Sequence, residues 1–217
     1  MRLPLSGYGR RELWLYGTTL AVAAVLTGVF FPYVTPVCLV LLGFLFYFFR
    51  DPTRKVPGER GLLVAPADGR VTEIAECDEQ LLGGKACRVS IFLSLFDVHL
   101  NRAPCSGRVD SMDYRPGRFL NAMKGESARV NESNTILITS DEVPGLRVVV
   151  KQIAGVLARR IVCDVRPGRT VARGERLGMI KFGSRTELSV PVGRLTELWV
   201  DVGDVVRAGV SVIGVVQ

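Results

Sequence analysis

The chain has 217 residues, a formal net charge of +7 and 48% hydrophobic residues. Its length suits one domain with an appendage. The positive charge would suit nucleic-acid binding, but the sequence lacks a basic helix and a pattern of stacking aromatic residues, so we predict no nucleic-acid partner. The charge instead favours contact with anionic lipid headgroups, or simply a soluble surface.

Two uncharged apolar segments lie near the N-terminus, at about residues 13–31 and 37–49. Each approaches the roughly 20 residues that span a bilayer, although the second is short enough to be a buried core helix. Basic residues flank the pair on both sides: Arg2, Arg10, Arg11, Arg50, Arg54 and Lys55. The positive-inside rule then places both ends in the cytoplasm. We predict a helical hairpin over residues 1–50 that either spans the membrane or is embedded in it. Residues 51–217 would form a cytosolic domain.

The cysteines and the single histidine limit the chemistry that the chain can support. The cysteines are odd in number and have no CxxC spacing: Cys38, Cys77, Cys87, Cys105 and Cys163. This pattern is typical of reduced thiols in the cytosol. Because one histidine and scattered cysteines offer no ligand cluster, we predict no metal site.

Beyond the hairpin, valine and isoleucine alternate with glycine and proline, which indicates strands joined by turns. The strand candidates are residues 64–76, 86–95, 135–138 and 146–153. Residues 152–162 fit either a short helix or a continued strand. The absence of βαβ alternation argues against a parallel doubly wound sheet. We therefore predict a mainly β domain with few short helices.

A weak internal repeat supports this prediction. The pattern Gly-x-x-Val-x-x-Gly occurs at residues 168–174 and again at 203–209. Two such units favour a β-sandwich like that of biotinyl and lipoyl carrier domains, with residues 65–71 as its first strand. Gly183 and Ser184 lie between the two units, which predicts that they lie at or near an exposed hairpin.

The Gly183-Ser184 pair can carry chemistry of its own. The Ser184 hydroxyl can attack the Gly183 carbonyl and convert the amide into an ester. β-Elimination then breaks the ester, and hydrolysis of the resulting dehydroalanine leaves a pyruvoyl group, an electron sink made from the chain itself. Glycine leaves room for the attack and tolerates strained backbone angles. The alternative interpretation of a Gly-Ser pair is an ordinary turn.

Three further residues are candidates for proton transfer. His99 is the only side chain with an unperturbed pKa near neutrality, although a lone histidine is often structural. Asp68 either ends a turn, orients His99 or assists Ser184. Asp97 would share a strand face with His99 if the segment is extended, and is otherwise a turn or N-cap acid. Lys181 resembles the modified lysine of a carrier domain, but an outward lysine on a strand is the simpler interpretation.

Taken together, these motifs resemble the phosphatidylserine decarboxylase family in its short proenzyme form. The matching stretches occur in the family's order, at residues 65–69 (APADG), 97–104 (DVHLNRAP), 152–155 (QIAG), 158–161 (ARRI) and 182–185 (FGSR). The resemblance implies self-cleavage between Gly183 and Ser184 into a β chain, 1–183, and an α chain, 184–217. The cofactor would be the pyruvoyl group made from Ser184, with no pyridoxal phosphate and no metal.

The resemblance also implies an activity and a setting for it. The catalytic domain would convert phosphatidylserine into phosphatidylethanolamine and CO2 on the cytoplasmic side of the cell membrane, as a homodimer of processed chains. Ser184, His99 and Asp68 would form the catalytic set. The supporting residues would be Asp97, Asn101 and Arg102.

The chain departs from the family pattern at two positions. Arg102 occupies the place of a second histidine, and Ser133 replaces an arginine, so neither role can be carried over. Two alternative functions stay open from the residues. One is a membrane-anchored carrier module with Lys181 modified or unused. The other is a serine hydrolase using Ser184, His99 and Asp68, although the G-x-S-x-G elbow is missing.

Overall fold

The computed structural model describes residues 5–120, 127–155, 161–181 and 184–217. It divides the chain into two compact units, Met1–Thr53 and Arg54–Gln217. The first unit is helical and the second is built mainly from strands. This confirms the predicted fold class, a mainly β chain with an N-terminal pair of apolar helices.

The first unit contains helix α1 (Arg10–Phe30) and helix α2 (Thr35–Phe48), preceded by a 3-10 turn at Gly7–Gly9. The two helices pack against each other, and the Thr35 hydroxyl donates a hydrogen bond of 3.1 Å to the Thr27 hydroxyl at their connection. Most apolar side chains of α1 are nevertheless exposed. The segment Gly7–Phe30, with a mean hydropathy of 1.7, is long and apolar enough to cross a membrane. This indicates association with a membrane.

In its described residues, the second unit contains strands of two to eleven residues and three short helical turns. The strands are β1 (Leu62–Val64), β2 (Gly69–Glu79), β3 (Gly84–Leu93), β4 (Leu100–Arg102), β5 (Gly107–Arg115), β6 (Ser133–Ser140), β7 (Arg147–Ile153), β8 (Ile161–Cys163), β9 (Thr170–Val171), β10 (Arg176–Ile180), β11 (Ser184–Pro191), β12 (Leu195–Leu198), β13 (Val205–Val206) and β14 (Val212–Val216). The helical turns are Gln80–Leu82, α3 (Ser127–Val130) and Val192–Arg194.

The strands form one large sheet and two small ones. The large sheet has the order β13-β2-β3-β11-β7-β6-β5-β9, and the small sheets have the orders β1-β14-β12 and β4-β10-β8. Strand β11 lies inside the large sheet and pairs antiparallel with β3 and β7. Its alternate residues Leu188 and Val190 enter the hydrophobic core. The chain that follows Ser184 therefore runs through the middle of the large sheet.

The internal repeat is a structural repeat. Val171 and Val206 are both buried, in β9 and β13, which pair with β5 and β2 respectively. The repeat glycines all have a positive φ: Gly168, Gly174, Gly203 and Gly209. A second pair of segments, residues 65–71 and 103–109, shares the pattern Ala-Pro-x-x-Gly-Arg-Val. Each of these segments forms hydrogen bonds to one of the glycine-rich units. The sequence analysis found only the first of the two pairs.

The hydrogen bonds of the two halves correspond. The Gly168 amide donates to the Val109 carbonyl at 2.7 Å, and the Gly203 amide donates to the Val71 carbonyl at 2.8 Å. In the same way, the amides of the two closing glycines donate to the carbonyls of Ala103 and Ala65, at 2.8 and 2.9 Å. The two halves thus make equivalent hydrogen bonds, and the pseudo-twofold relation stays a prediction.

Some predicted boundaries were wrong. The candidate strand 64–76 is two strands, because β1 ends at Val64 and the chain turns before β2 begins at Gly69. Pro66 in this turn lacks the amide that a continuous ladder would need. In the ambiguous stretch 152–162, β7 ends at Ile153 and β8 begins at Ile161, and residues 156–160 lie outside the described residues.

Candidate active site

Ser184 is the first residue of the central strand β11, where it lies opposite Leu93 of β3. Its side chain is completely buried, and its hydroxyl oxygen has no hydrogen-bond partner among the described residues. Buried hydroxyl groups are normally hydrogen-bonded, so an unbonded one is unusual. The expectation that Ser184 lies at or near an exposed hairpin was wrong, because β11 is inserted between two other strands. Gly183 lies outside the described residues.

His99 is fully buried directly before β4. Its Nδ1 atom lies 3.0 Å from the carbonyl oxygen of Asp97. A carbonyl can only accept, so this contact assigns a proton to Nδ1 and makes Nε2 the basic position of the neutral ring. The His99 carbonyl accepts a hydrogen bond of 3.1 Å from the Ile180 amide. The backbone of His99 is therefore fixed to the strand that leads towards Ser184.

Asp97 supports His99 through its backbone and not through its carboxylate. One carboxylate oxygen accepts hydrogen bonds from the Ser94 amide and hydroxyl, at 2.8 and 2.7 Å. These bonds close a tight turn over residues 94–97, and the residues between this turn and β4 belong to no strand. The turn-acid interpretation of Asp97 is the one that the structure shows.

Asp68 is buried in the turn between β1 and β2, and both of its carboxylate oxygens have partners. One pairs with the Arg54 guanidinium at 2.6 Å, and the other accepts the Ala208 amide at 2.8 Å. Burial raises the pKa of Asp68 above its ordinary value, although the Ala208 amide and the Arg54 charge both lower it. The sequence analysis missed Arg54 as a site residue, since it looked only like one of the basic residues flanking the hairpin.

The other half of the repeat shows what the turn itself requires. There Ser106 occupies the place of Asp68, and its hydroxyl accepts the Arg173 amide at 3.1 Å. A neutral oxygen is therefore sufficient to cap this turn. The negative charge of Asp68 is an addition that the fold does not need, which favours a chemical role for it.

A chain of buried side-chain amides connects β4 to β11. The Asn101 amide donates to the Thr186 hydroxyl at 2.8 Å and accepts from Gln152 at 2.8 Å, and Gln152 in turn accepts from Asn134 at 2.9 Å. Thr186 lies on the same face of β11 as Ser184, two residues further along. Asn101 is therefore linked to the strand that begins at Ser184, and its supporting role in catalysis stays a prediction. Thr186 and Gln152 were missed as site residues, although Gln152 lies in a stretch that carried the family resemblance.

Arg102 and Lys181 have less direct relations to the site. The Arg102 guanidinium donates to the Gly174 carbonyl at 2.9 Å, so this side chain holds a turn of the repeat. Lys181 is only 6% exposed. Its prediction as an outward lysine was wrong, because the side chain is buried directly after β10.

The segments that carry His99 and Asp68 are connected to each other and to β10 by backbone hydrogen bonds. β4 pairs with β10, placing Leu100 opposite Met179, and this fixes His99 beside the segment before Ser184. The turn that holds Asp68 is attached to β4, because the Pro66 carbonyl accepts the Arg102 amide at 2.9 Å. The partners of Asp68 are Arg54 and Ala208, so the structure shows no Ser-His-Asp chain in the part that it describes.

Comparison with known proteins gives one consistent result. The family model for phosphatidylserine decarboxylase matches residues 41–214. A phosphatidylserine decarboxylase proenzyme from Rhodopirellula baltica is 44% identical over 211 residues, which cover 97% of this chain and 87% of that protein. The proenzyme from Carboxydothermus hydrogenoformans is 43% identical over 215 residues, 99% of this chain and 98% of its own.

Proposed function

The chain belongs to the phosphatidylserine decarboxylase family, whose members are carboxy-lyases, and from this premise we propose how it gains its activity. The bond between Gly183 and Ser184 cleaves itself, and Ser184 becomes the pyruvoyl end of the α chain, 184–217. The processed protein then decarboxylates phosphatidylserine. The observation that supports this most directly is the buried, unbonded Ser184 hydroxyl at the start of a fixed central strand.

Self-cleavage requires proton transfers, and two residues suit them. The Ser184 hydroxyl loses its proton as its oxygen attacks the Gly183 carbonyl, and the amide nitrogen gains one when the C–N bond breaks. Elimination then removes the α-proton of residue 184 and releases the 1–183 chain as a carboxylate. Water replaces the remaining nitrogen, which leaves as ammonia. His99, with Nε2 as its basic position, and Asp68, with its raised pKa, are the proposed proton carriers.

In the decarboxylation itself, the pyruvoyl group would supply an electron sink for the carbon that loses CO2. Residue 184 fits this group because its side chain is enclosed and unbonded. The role of His99 is to hold a proton at Nε2 and deliver it to that carbon. The surrounding buried residues keep out water, which would otherwise compete as the proton donor.

The setting of the reaction is part of the same proposal. The apolar helix Gly7–Phe30 holds the chain at the bilayer that contains its substrate. Basic residues on both sides of the helical pair favour the cytoplasmic face for residues 51–217. Holding the site at the headgroup plane shortens the search for a lipid that stays in the membrane. We propose that the processed protein is a homodimer.

Intact-mass measurement of the purified protein tests the proposal. We expect two fragments, 1–183 and 184–217, with the smaller one lighter than its serine form by one ammonia. Ser184→Ala should give one uncleaved, inactive chain, since alanine has no nucleophile. Ser189→Ala is the matched control, because Ser189 is another buried serine of β11, and this variant should cleave normally. An active preparation that consists of the intact 217-residue chain would exclude the pyruvoyl mechanism.

A further inference from the structure

A groove opens on the outer face of the large sheet beside the start of β11. Its volume is about 370 Å³, and its lining includes Arg70, Phe92, Ser94, Asp97 and Val205. Ser94 and Asp97 belong to the tight turn before His99. The groove therefore lies next to the candidate active site, and the proposed mechanism gives it no role.

The strand register shows how near the groove is to Ser184. Arg185, Phe92, Arg70 and Val205 lie opposite one another in one row across β11, β3, β2 and β13. The next row holds Ser184 opposite Leu93. Because Leu93 enters the core, the alternation of side chains places Phe92 on the outer face. Ser184 shares the core-facing side of the sheet with Leu93, so a molecule in the groove would lie one row from residue 184 on the opposite face, near the point where β11 begins.

Exposed apolar side chains lie on the segments that line this groove or next to them in the chain. Phe96 in the tight turn is 66% exposed, and Val205 on the edge strand is also 66% exposed. Val202, in the loop that precedes β13, is 61% exposed. Exposed apolar side chains on neighbouring segments indicate a contact with another apolar phase or molecule.

Arg70 adds a positive charge to the same place. One nitrogen of its guanidinium donates to the Gly203 carbonyl at 2.6 Å, and its other N–H groups have no partner in the part of the chain that the structure describes. An arginine with free donors is suited to a phosphate group. Apolar side chains around an anion-binding arginine match the two parts of a phospholipid, its acyl chains and its phosphate.

We propose that Arg70, Phe96, Val202 and Val205 form a bilayer-contact face through which the substrate enters the site. The three apolar side chains lie at the boundary between headgroups and acyl chains, and Arg70 binds the headgroup phosphate. The identity of the entering lipid rests on the proposed function. The contact with the bilayer rests on exposure, charge and strand register alone.

Fluorescence quenching tests the contact without any catalysis. Phe96→Trp is made in full-length protein carrying Trp14→Phe, Trp199→Phe and Ser184→Ala, and is mixed with phosphatidylcholine–phosphatidylserine vesicles whose acyl chains carry bromine. We expect the emission of this tryptophan to fall by about half, because interfacial side chains reach the acyl boundary. Tyr114→Trp is the control, since Tyr114 is 57% exposed on the distant strand β5 and should not be quenched. An unquenched tryptophan at position 96 overturns the proposal.

Kinetics test the role of Arg70. Arg70→Gln should raise the KM for vesicular phosphatidylserine by about tenfold and affect kcat much less, because a charge-assisted bond to the phosphate is lost. Arg108→Gln is the matched control, since Arg108 is the repeat counterpart of Arg70 and pairs with Asp110 instead. Equal KM values for the two variants would overturn the assignment. The two proposals can fail separately. If the tryptophan at position 96 is quenched but the parent chain never cleaves itself, the bilayer contact is supported and only the proposed catalytic function is wrong.

Discussion

The pKa of the Asp68 carboxyl group is shifted in opposite directions by its surroundings. Burial raises its pKa, and this effect exceeds the lowering by the Ala208 amide and the Arg54 charge. The folded protein therefore holds this proton more tightly than the unfolded chain does. The resulting contribution to stability is fully present below the ordinary pKa of an aspartate and is lost as the pH rises through the raised value.

The first prediction concerns Arg54→Met. Removing the cation should raise the pKa of Asp68 further and leave an ionised, buried carboxylate without its partner at neutral pH. We expect the free energy of unfolding to fall by about 3 kcal/mol at pH 7 and by clearly less near pH 4, where Asp68 takes up a proton. Urea unfolding at both pH values measures the difference. In an Asp68→Asn background the effect of Arg54→Met should not depend on pH, and an equal loss at both pH values in the parent chain would contradict the prediction.

Single residues of the site differed in how far the sequence could reveal them. Ser184 and His99 were found because one follows a glycine in a reactive pair and the other is the only histidine. Arg54 and Thr186 are ordinary residues in ordinary segments. Their importance comes from partners more than ten residues away, at Asp68 and Asn101, and no local pattern records such pairings.

At the scale of elements, the paired repeat units hold the site together. In each half, a segment with the pattern Ala-Pro-x-x-Gly-Arg-Val is hydrogen-bonded to a Gly-x-x-Val-x-x-Gly unit, and the hydrogen bonds are equivalent in the two halves. The glycine spacing predicted these turns from the sequence, since the glycines have positive φ values that other residues rarely adopt. The central place of β11 could not be predicted, because its register with β3 and β7 depends on pairing over long sequence separations.

The second prediction compares two repeat glycines. Gly168 and Gly209 both have a left-handed backbone, with φ values of 87° and 72°. A methyl group at Gly168 would meet open space, whereas one at Gly209 would lie 3.1 Å from the Arg102 side chain and 3.3 Å from Gly174. We expect Gly168→Ala to cost about 1 kcal/mol from backbone strain alone, and Gly209→Ala to cost about 2–3 kcal/mol. Urea unfolding gives both values, and equal losses would show that the crowding at Gly209 is unimportant.

At the scale of the whole molecule, the proposed cleavage would cut a chain whose two parts are interleaved. The fragment 184–217 contains β11, β12, β13 and β14. β11 pairs with β3 along its entire length, from Ser184 opposite Leu93 to Pro191 opposite Ala86, and it also pairs with β7. β13 and β14 pair with β2 and β1 of the other fragment. The smaller fragment therefore supplies the middle of the large sheet and parts of its periphery.

The last prediction follows from this interleaving. After cleavage, the fragments 1–183 and 184–217 should elute together in size-exclusion chromatography under native conditions, at the volume of uncleaved Ser184→Ala. They should separate only in denaturant, because release of β11 would expose Leu188 and Val190 at about 1.5–3 kcal/mol each and break its ladders on both sides. A small fragment that elutes alone from native, active protein would contradict this. Because the ladder to β3 begins at residue 184 itself, we expect the new chain end to keep its place opposite Leu93 after cleavage.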